Sequence, residues 1–80
     1  MTNGEAKVLF GAEVRRRRES LGMTLEVLAA RAGLTPNYVG TIEAGERDPS
    51  LSTIVELAQG LGISPAELFG SRPGLSPASD

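Results

Sequence analysis

Apolar positions recur at helical spacing along this chain, and Thr, Ser, Pro and Gly punctuate them where helices start and stop. The most informative pair lies between Leu25 and Glu43, LEVLAARAGLTPNYVGTIE. Thr24 is an N-cap residue for the first helix, whose inner stripe is Leu25, Leu28, Ala29 and Ala32, with Glu26 near the positive end of its dipole. Gly33 supplies the left-handed residue that a sharp interhelical turn needs. The second helix is predicted over 35–44, with Thr35 as cap, Pro36 at the first position where its missing N–H costs nothing, and Gly45 as stop. Its inner face carries Val39, Ile42 and Glu43, and its outer face Pro36, Asn37, Gly40, Thr41 and Ala44. That outer face is small and nearly uncharged, as suits a helix that must come close to a partner surface. Ala29 leaves room for the crossing.

The same reading extends to both ends. Residues 1–7 read as a polar, flexible lead-in. A helix over 8–20 follows, with Phe10, Val14 and Leu21 as its apolar side and Gly22 closing it. A fourth helix, from Leu51 or Ser52 to Leu61, shows Leu51, Ile54, Val55, Ala58 and Leu61 at core spacing and stops at Gly62. Ser64, Pro65 and Glu67 form a capping box for a fifth helix that carries Leu68 and Phe69. Residues 70–80, GSRPGLSPASD, have the composition of a disordered tail. The expected organisation is therefore one all-α domain over 8–69, a compact five-helix bundle.

Composition narrows the chemistry. Eighty residues hold one small domain. With no cysteine and no histidine, thiol and imidazole catalysis and the usual zinc ligand sets are excluded, and a reducing cytoplasmic setting is expected. No apolar run approaches the roughly 20 residues of a membrane span. The formal net charge is −2, yet six of the eight basic residues lie between Arg15 and Arg47. Four of them are the run Arg15 to Arg18, which fans over about 300° on a helix, so one of the four must lie near the core.

The stretches FGAEVRRRRESLGMTLEVLAARAGL, NYVGTIEAGERDPSL and LAQGLGISPAELF resemble the helix-turn-helix domain of the Cro and phage-repressor (XRE-like) family. The likeness is strongest to short stand-alone regulators such as restriction-modification controller proteins, and it covers Phe10 to Phe69. It implies a lambda-repressor-like fold, double-stranded DNA as partner, a homodimer, and no cofactor, metal, membrane or small-molecule ligand. It also implies an ion pair between Arg18 and Glu43. Base contacts are expected from Pro36, Asn37 and Thr41. Of these, Asn37 can pair with an adenine, and Thr41 can meet a thymine methyl or donate a weak hydrogen bond. Backbone contacts are expected from Thr24, Leu25, Tyr38 and Arg47. Arg15 and Arg16 read first as solvated, with Arg16 the candidate for a phosphate. Leu25 stands where many relatives place a glutamine clamp, which leaves the helix N-terminus to hold a phosphate. Ile63, Leu68 and Phe69, with part of the fourth helix, are the expected dimer patch.

Three functional classes fit these features to different degrees. A homodimeric regulator reading a short inverted repeat leads, and an antitoxin-like or adaptor module that binds another protein is the alternative favoured by the acidic balance. An enzyme is remote, since catalysis would rest on carboxylates with simpler roles as surface charges.

Overall fold

The computed structural model describes residues 2–70, and over them the chain forms five helices: α1 Asn3–Ser20, α2 Leu25–Ala32, α3 Pro36–Glu43, α4 Leu51–Leu61 and α5 Glu67–Gly70. The first four start on one device. A hydroxyl ahead of the helix accepts a backbone N–H that has no partner inside it: Thr2 from Glu5, Thr24 from Val27, Thr35 from Tyr38 and Ser50 from Thr53. The turn after α2 is equally local. Gly33 takes φ 74° and lets the Leu34 N–H reach back to the Ala29 carbonyl at 2.9 Å, which directs the chain into α3.

The core forms where the inner stripes meet. Val14, Leu28, Ala29, Val39, Ile42, Leu57 and Ala58 are fully buried, each large aliphatic side chain contributing about 1.5–3 kcal/mol. α2 packs chiefly on α4, and α3 is held between α1 and α2. Two glycines set how closely these helices approach. A Cβ at Gly11 of α1 would overlap the Ile42 carbonyl oxygen of α3, and one at Gly60 of α4 would lie 3.0 Å from Leu28 Cδ1 and 3.2 Å from Ala32. The sequence reading gives Ala29 as room for the α2–α3 crossing; Gly11 and Gly60 add close approaches at the α1–α3 and α2–α4 crossings.

The structure departs from the sequence reading at several places. α1 starts at Asn3 rather than Val8, because Thr2 and Glu5 form a capping box that extends it. The backbone N–H of Thr2 holds the Glu5 carboxyl below its ordinary range. Leu21, expected on the apolar side, is 53% exposed at the α1 C-cap. The buried face of α4 is shifted from expectation: Ala58 and Leu61 are buried and Ile54 packs on the core as the stripe implies, but Thr53, Leu57 and Gly60 also turn inward, Val55 is half-buried and Leu51 is 78% exposed. Only the glutamate half of the α5 capping box forms, the Ser64 N–H donating to Glu67 Oε2 at 2.7 Å. The expected tail lies outside the described residues apart from Gly70. No helix among the described residues is long and apolar enough to cross a membrane.

Candidate nucleic-acid interface

The outward side of the α2–α3 pair follows from how its inward side is held. Val39 and Ile42 are fully buried, and Glu43 beside them meets Arg18 of α1. The pair is bidentate, Arg18 Nε to Glu43 Oε2 at 2.7 Å and Nη2 to Oε1 at 3.0 Å, while Nη1 donates to the Met23 carbonyl at 2.8 Å. The side chains are 11% and 6% exposed. The glutamate raises the Arg18 pKa above its ordinary value. Such a fork fixes α3 against rotation relative to α1, although its net stabilisation is small because desolvation offsets the attraction.

With the inner side locked, Pro36, Asn37, Gly40 and Thr41 line a shallow concavity together with Leu25 of α2 and Glu46 beyond α3. Asn37 is exposed and its amide makes no hydrogen bond among the described residues, so donor and acceptor are both available. Thr41 differs: its hydroxyl donates to the Tyr38 carbonyl at 2.7 Å. Its proton is therefore engaged within the helix, and the hydroxyl keeps only its acceptor capacity for another partner. Leu25, at the α2 N-terminus, is half-buried and faces Gly40, which keeps the two helices close. Thr24 engages its hydroxyl in capping, through the Val27 N–H at 3.1 Å.

Tyr38 and Arg47 form a unit of their own. The guanidinium of Arg47 stands 5.7 Å from the Tyr38 ring centroid, a cation–π contact. The Tyr38 hydroxyl shares a hydrogen bond with Thr53 Oγ1 at 3.3 Å, so it is directed to α4 rather than left free. Glu46, to which the sequence pattern gives no role, is placed on the concavity because Gly45 at φ 75° turns the chain and the Glu46 N–H bonds the Thr41 carbonyl at 3.0 Å. A glycine two residues past the helix is the signal that could have found it.

Arg16 does not join this face. It lies beside Arg17, Leu21 and the α4–α5 connection at Leu61, Gly62 and Ile63, and it donates to Glu13 through Nε at 3.0 Å and Nη2 at 2.8 Å. That carboxylate raises its pKa. Arg17 donates to Glu13 at 2.8 Å and to the Glu67 carbonyl at 2.9 Å, tying α5 to α1. Arg15 pairs with Glu19 at 3.2 Å on the surface.

The expected subunit patch divides likewise. Leu68 is 1% exposed and belongs to the core of its own chain, because α5 folds back on α1. Phe69 stacks on Phe10, centroids 5.5 Å apart, and stays 40% exposed. Ile63 is half-buried against the core. The largest exposed apolar side chain of α4 is Leu51, flanked by Val55. Among the described residues no three acidic side chains converge as metal ligands do.

Two short helices joined by a glycine turn, with the second locked on one side and open on the other, define a helix-turn-helix DNA-binding protein. A helix-turn-helix family model matches residues 14–68, and the chain belongs to this family, in its XRE-type branch. It is a DNA-binding transcriptional regulator. It is 39% identical over 64 residues to the HTH-type transcriptional regulator y4dJ of Sinorhizobium fredii, covering 80% of this chain and 83% of that protein. Control protein C.BamHI of Bacillus amyloliquefaciens is 39% identical over 70 residues, covering 86% of this chain and 85% of its own length. Among solved structures, the restriction-modification controller protein C.AhdI from Aeromonas hydrophila superposes with a TM-score of 0.79 at 43% identity, covering 81% of this chain and 98% of that one.

Proposed function

We propose that this chain is a homodimeric regulator that reads a short inverted-repeat operator with the outer face of α3. The observation that carries the reading is the contrast across that helix. Its inner side is immobilised by Val39, Ile42 and the Arg18–Glu43 fork, while Asn37 presents an unengaged amide beside the Thr41 methyl. In a major groove, Asn37 would pair with an adenine edge and Thr41 would lie against a thymine methyl, with Pro36 making apolar contact. Arg47 and the free N–H groups at the start of α2, behind Thr24 and Leu25, would hold backbone phosphates.

Dimerisation supplies what one copy lacks. The concavity carries no basic side chain of its own and includes Glu46, so affinity for a single half-site is modest and a symmetric pair of half-sites adds to it. The exposed side of α4, Leu51 and Val55, with Phe69 and Ile63, supplies the apolar surface for a second copy. Such a protein works in the cytoplasm and responds to its own concentration rather than to a ligand.

In-vitro selection of random duplexes by the purified protein at near-physiological salt tests this reading. A two-fold symmetric motif with half-site centres about one helical turn apart is the expected result. Absence of any motif with folded protein would overturn it and favour an adaptor whose partner is another protein.

A further inference from the structure

α3 and the start of α4 are joined by a line of hydroxyls, Tyr38 to Thr53 to Ser50, of which capping accounts only for the last. Thr53 is 6% exposed in the first turn of α4. Its Oγ1 shares a hydrogen bond with Ser50 Oγ at 3.0 Å and another with the Tyr38 hydroxyl at 3.3 Å. The α4 cap itself needs only the Thr53 backbone N–H, which donates to Ser50 Oγ at 3.2 Å. A buried hydroxyl costs free energy unless it is hydrogen-bonded, so a valine would suit an apolar helix face better if packing were all that mattered. What the Thr53 side chain adds is a fixed position for the Tyr38 phenol. Above that ring stands Arg47, 5.7 Å from its centroid.

We infer that Thr53 is a positioning residue for DNA binding: it anchors the Tyr38 ring as a platform, and the platform presents the Arg47 guanidinium to a backbone phosphate. A free arginine loses much rotamer freedom when it engages a phosphate, and a stacked one has already lost part of it. Thr53 touches no DNA in this scheme. The inference rests on the backbone role proposed above for Arg47.

The test uses the full chain and a mixed-sequence duplex about 30 bp long, roughly three helical turns. Binding is titrated over a salt series for the wild type, Arg47→Ala, Thr53→Val and Thr53→Ser. Arg47→Ala is expected to lower the slope of log K against log salt by about 0.9 per subunit, as follows when one phosphate per subunit is no longer neutralised. Thr53→Val, which keeps the volume and removes the hydroxyl, is expected to lose most of the same slope and to bind severalfold more weakly, and Thr53→Ser to recover both. A Thr53→Val protein with the wild-type slope overturns the inference, whatever its melting temperature. If Thr53→Val does not fold, Tyr38→Phe removes the same hydrogen bond from the other end, and a wild-type slope there overturns it equally. An unchanged slope in Arg47→Ala overturns it through its premise, and a wild type that binds no duplex instead removes the DNA reading itself.

Discussion

α3 and α4 both bury an aliphatic stripe, Val39 and Ile42 in one and Leu57, Ala58 and Leu61 in the other, but they differ in what else they turn inward and what they leave outside. In α3 the aliphatic residues Val39 and Ile42 are both fully buried with Glu43 held beside them, while Pro36, Asn37, Gly40 and Thr41 line the outer concavity. In α4 the polar Thr53 and the bare Gly60 are buried while Leu51 is 78% exposed. The difference follows from what each helix meets. α3 is clamped by a bidentate ion pair that leaves one orientation open to it. α4 approaches α2 closely at Gly60, where a Cβ would stand 3.0 Å from Leu28 Cδ1 and 3.2 Å from Ala32 Cβ. Turning Gly60 inward turns Leu51 and Val55 outward, so a close helix crossing inside the monomer goes with an apolar surface outside it. A helix's buried face is thus chosen by its neighbours' shapes as well as by its own hydrophobicity.

The clamp and the crossing can be broken separately. Glu43→Ala leaves the Arg18 guanidinium 11% exposed without its carboxylate, and urea denaturation is expected to show a loss of about 3–5 kcal/mol. A loss under about 1 kcal/mol would mean that α3 is oriented by Val39 and Ile42 alone. Gly60→Val forces α2 and α4 apart and is expected to cost about 1–3 kcal/mol in the same assay. Its counterpart on the exposed side, Leu51→Asp, is expected to change monomer stability by no more than about 0.5 kcal/mol. It should nevertheless shift sedimentation equilibrium toward monomer. A variant that still sediments as the wild type would move the proposed subunit contact off this face.

Smaller effects sharpen the picture of the outer surface and the chain start. Glu46→Gln removes a carboxylate from the concavity beside Asn37 and Thr41 and is expected to tighten binding to mixed-sequence duplex a few-fold at low salt. Weaker binding, confined to sites with one particular base pair, would instead make Glu46 a reader of an amino edge. The Glu5 carboxyl is held below its ordinary pKa by the Thr2 N–H. Its folded pKa is depressed, so the capping box is fully formed above the ordinary carboxylate range and is lost as pH falls through the depressed value. Amide exchange at Glu5 and Ala6 should quicken over that window, and not in Glu5→Ala.

Much of this fold is legible in the sequence because its helix ends are local chemistry. Thr24, Thr35, Gly33 and Gly62 act within a few residues of themselves, and their roles follow from hydrogen-bond reach and backbone freedom alone. The Thr2 cap is equally local, yet the polar composition of residues 1–7 resembles a lead-in and no apolar stripe marks that turn. The site is legible in part. Asn37 and Thr41 lie one helical turn apart on α3, so the period assigns both to one face. Arg16 escapes such reasoning because spacing on one helix does not say which neighbour its side meets; Glu13, three residues before it, holds its guanidinium, and it lies beside Leu61, Gly62 and Ile63.

By itself, then, the sequence determined the five helices, most of their capped ends, the inner stripe of α3 and the glycine turn, all matters of periodicity and short-range hydrogen bonding. Tertiary structure alone decided the inward turn of Thr53 and Gly60 on α4, the burial of Leu68 and the direction of the Tyr38 hydroxyl, and it completed the placing of Glu46 beside Asn37 that the Gly45 turn begins. Each of those depends on contacts between residues distant in the chain or on a left-handed turn whose outcome is set by what it packs against. Gly45 shows the limit most plainly: its φ of 75° is a local freedom, but the Val8 side chain of α1, 2.8 Å from where its Cβ would stand, is a neighbour that only the folded chain supplies.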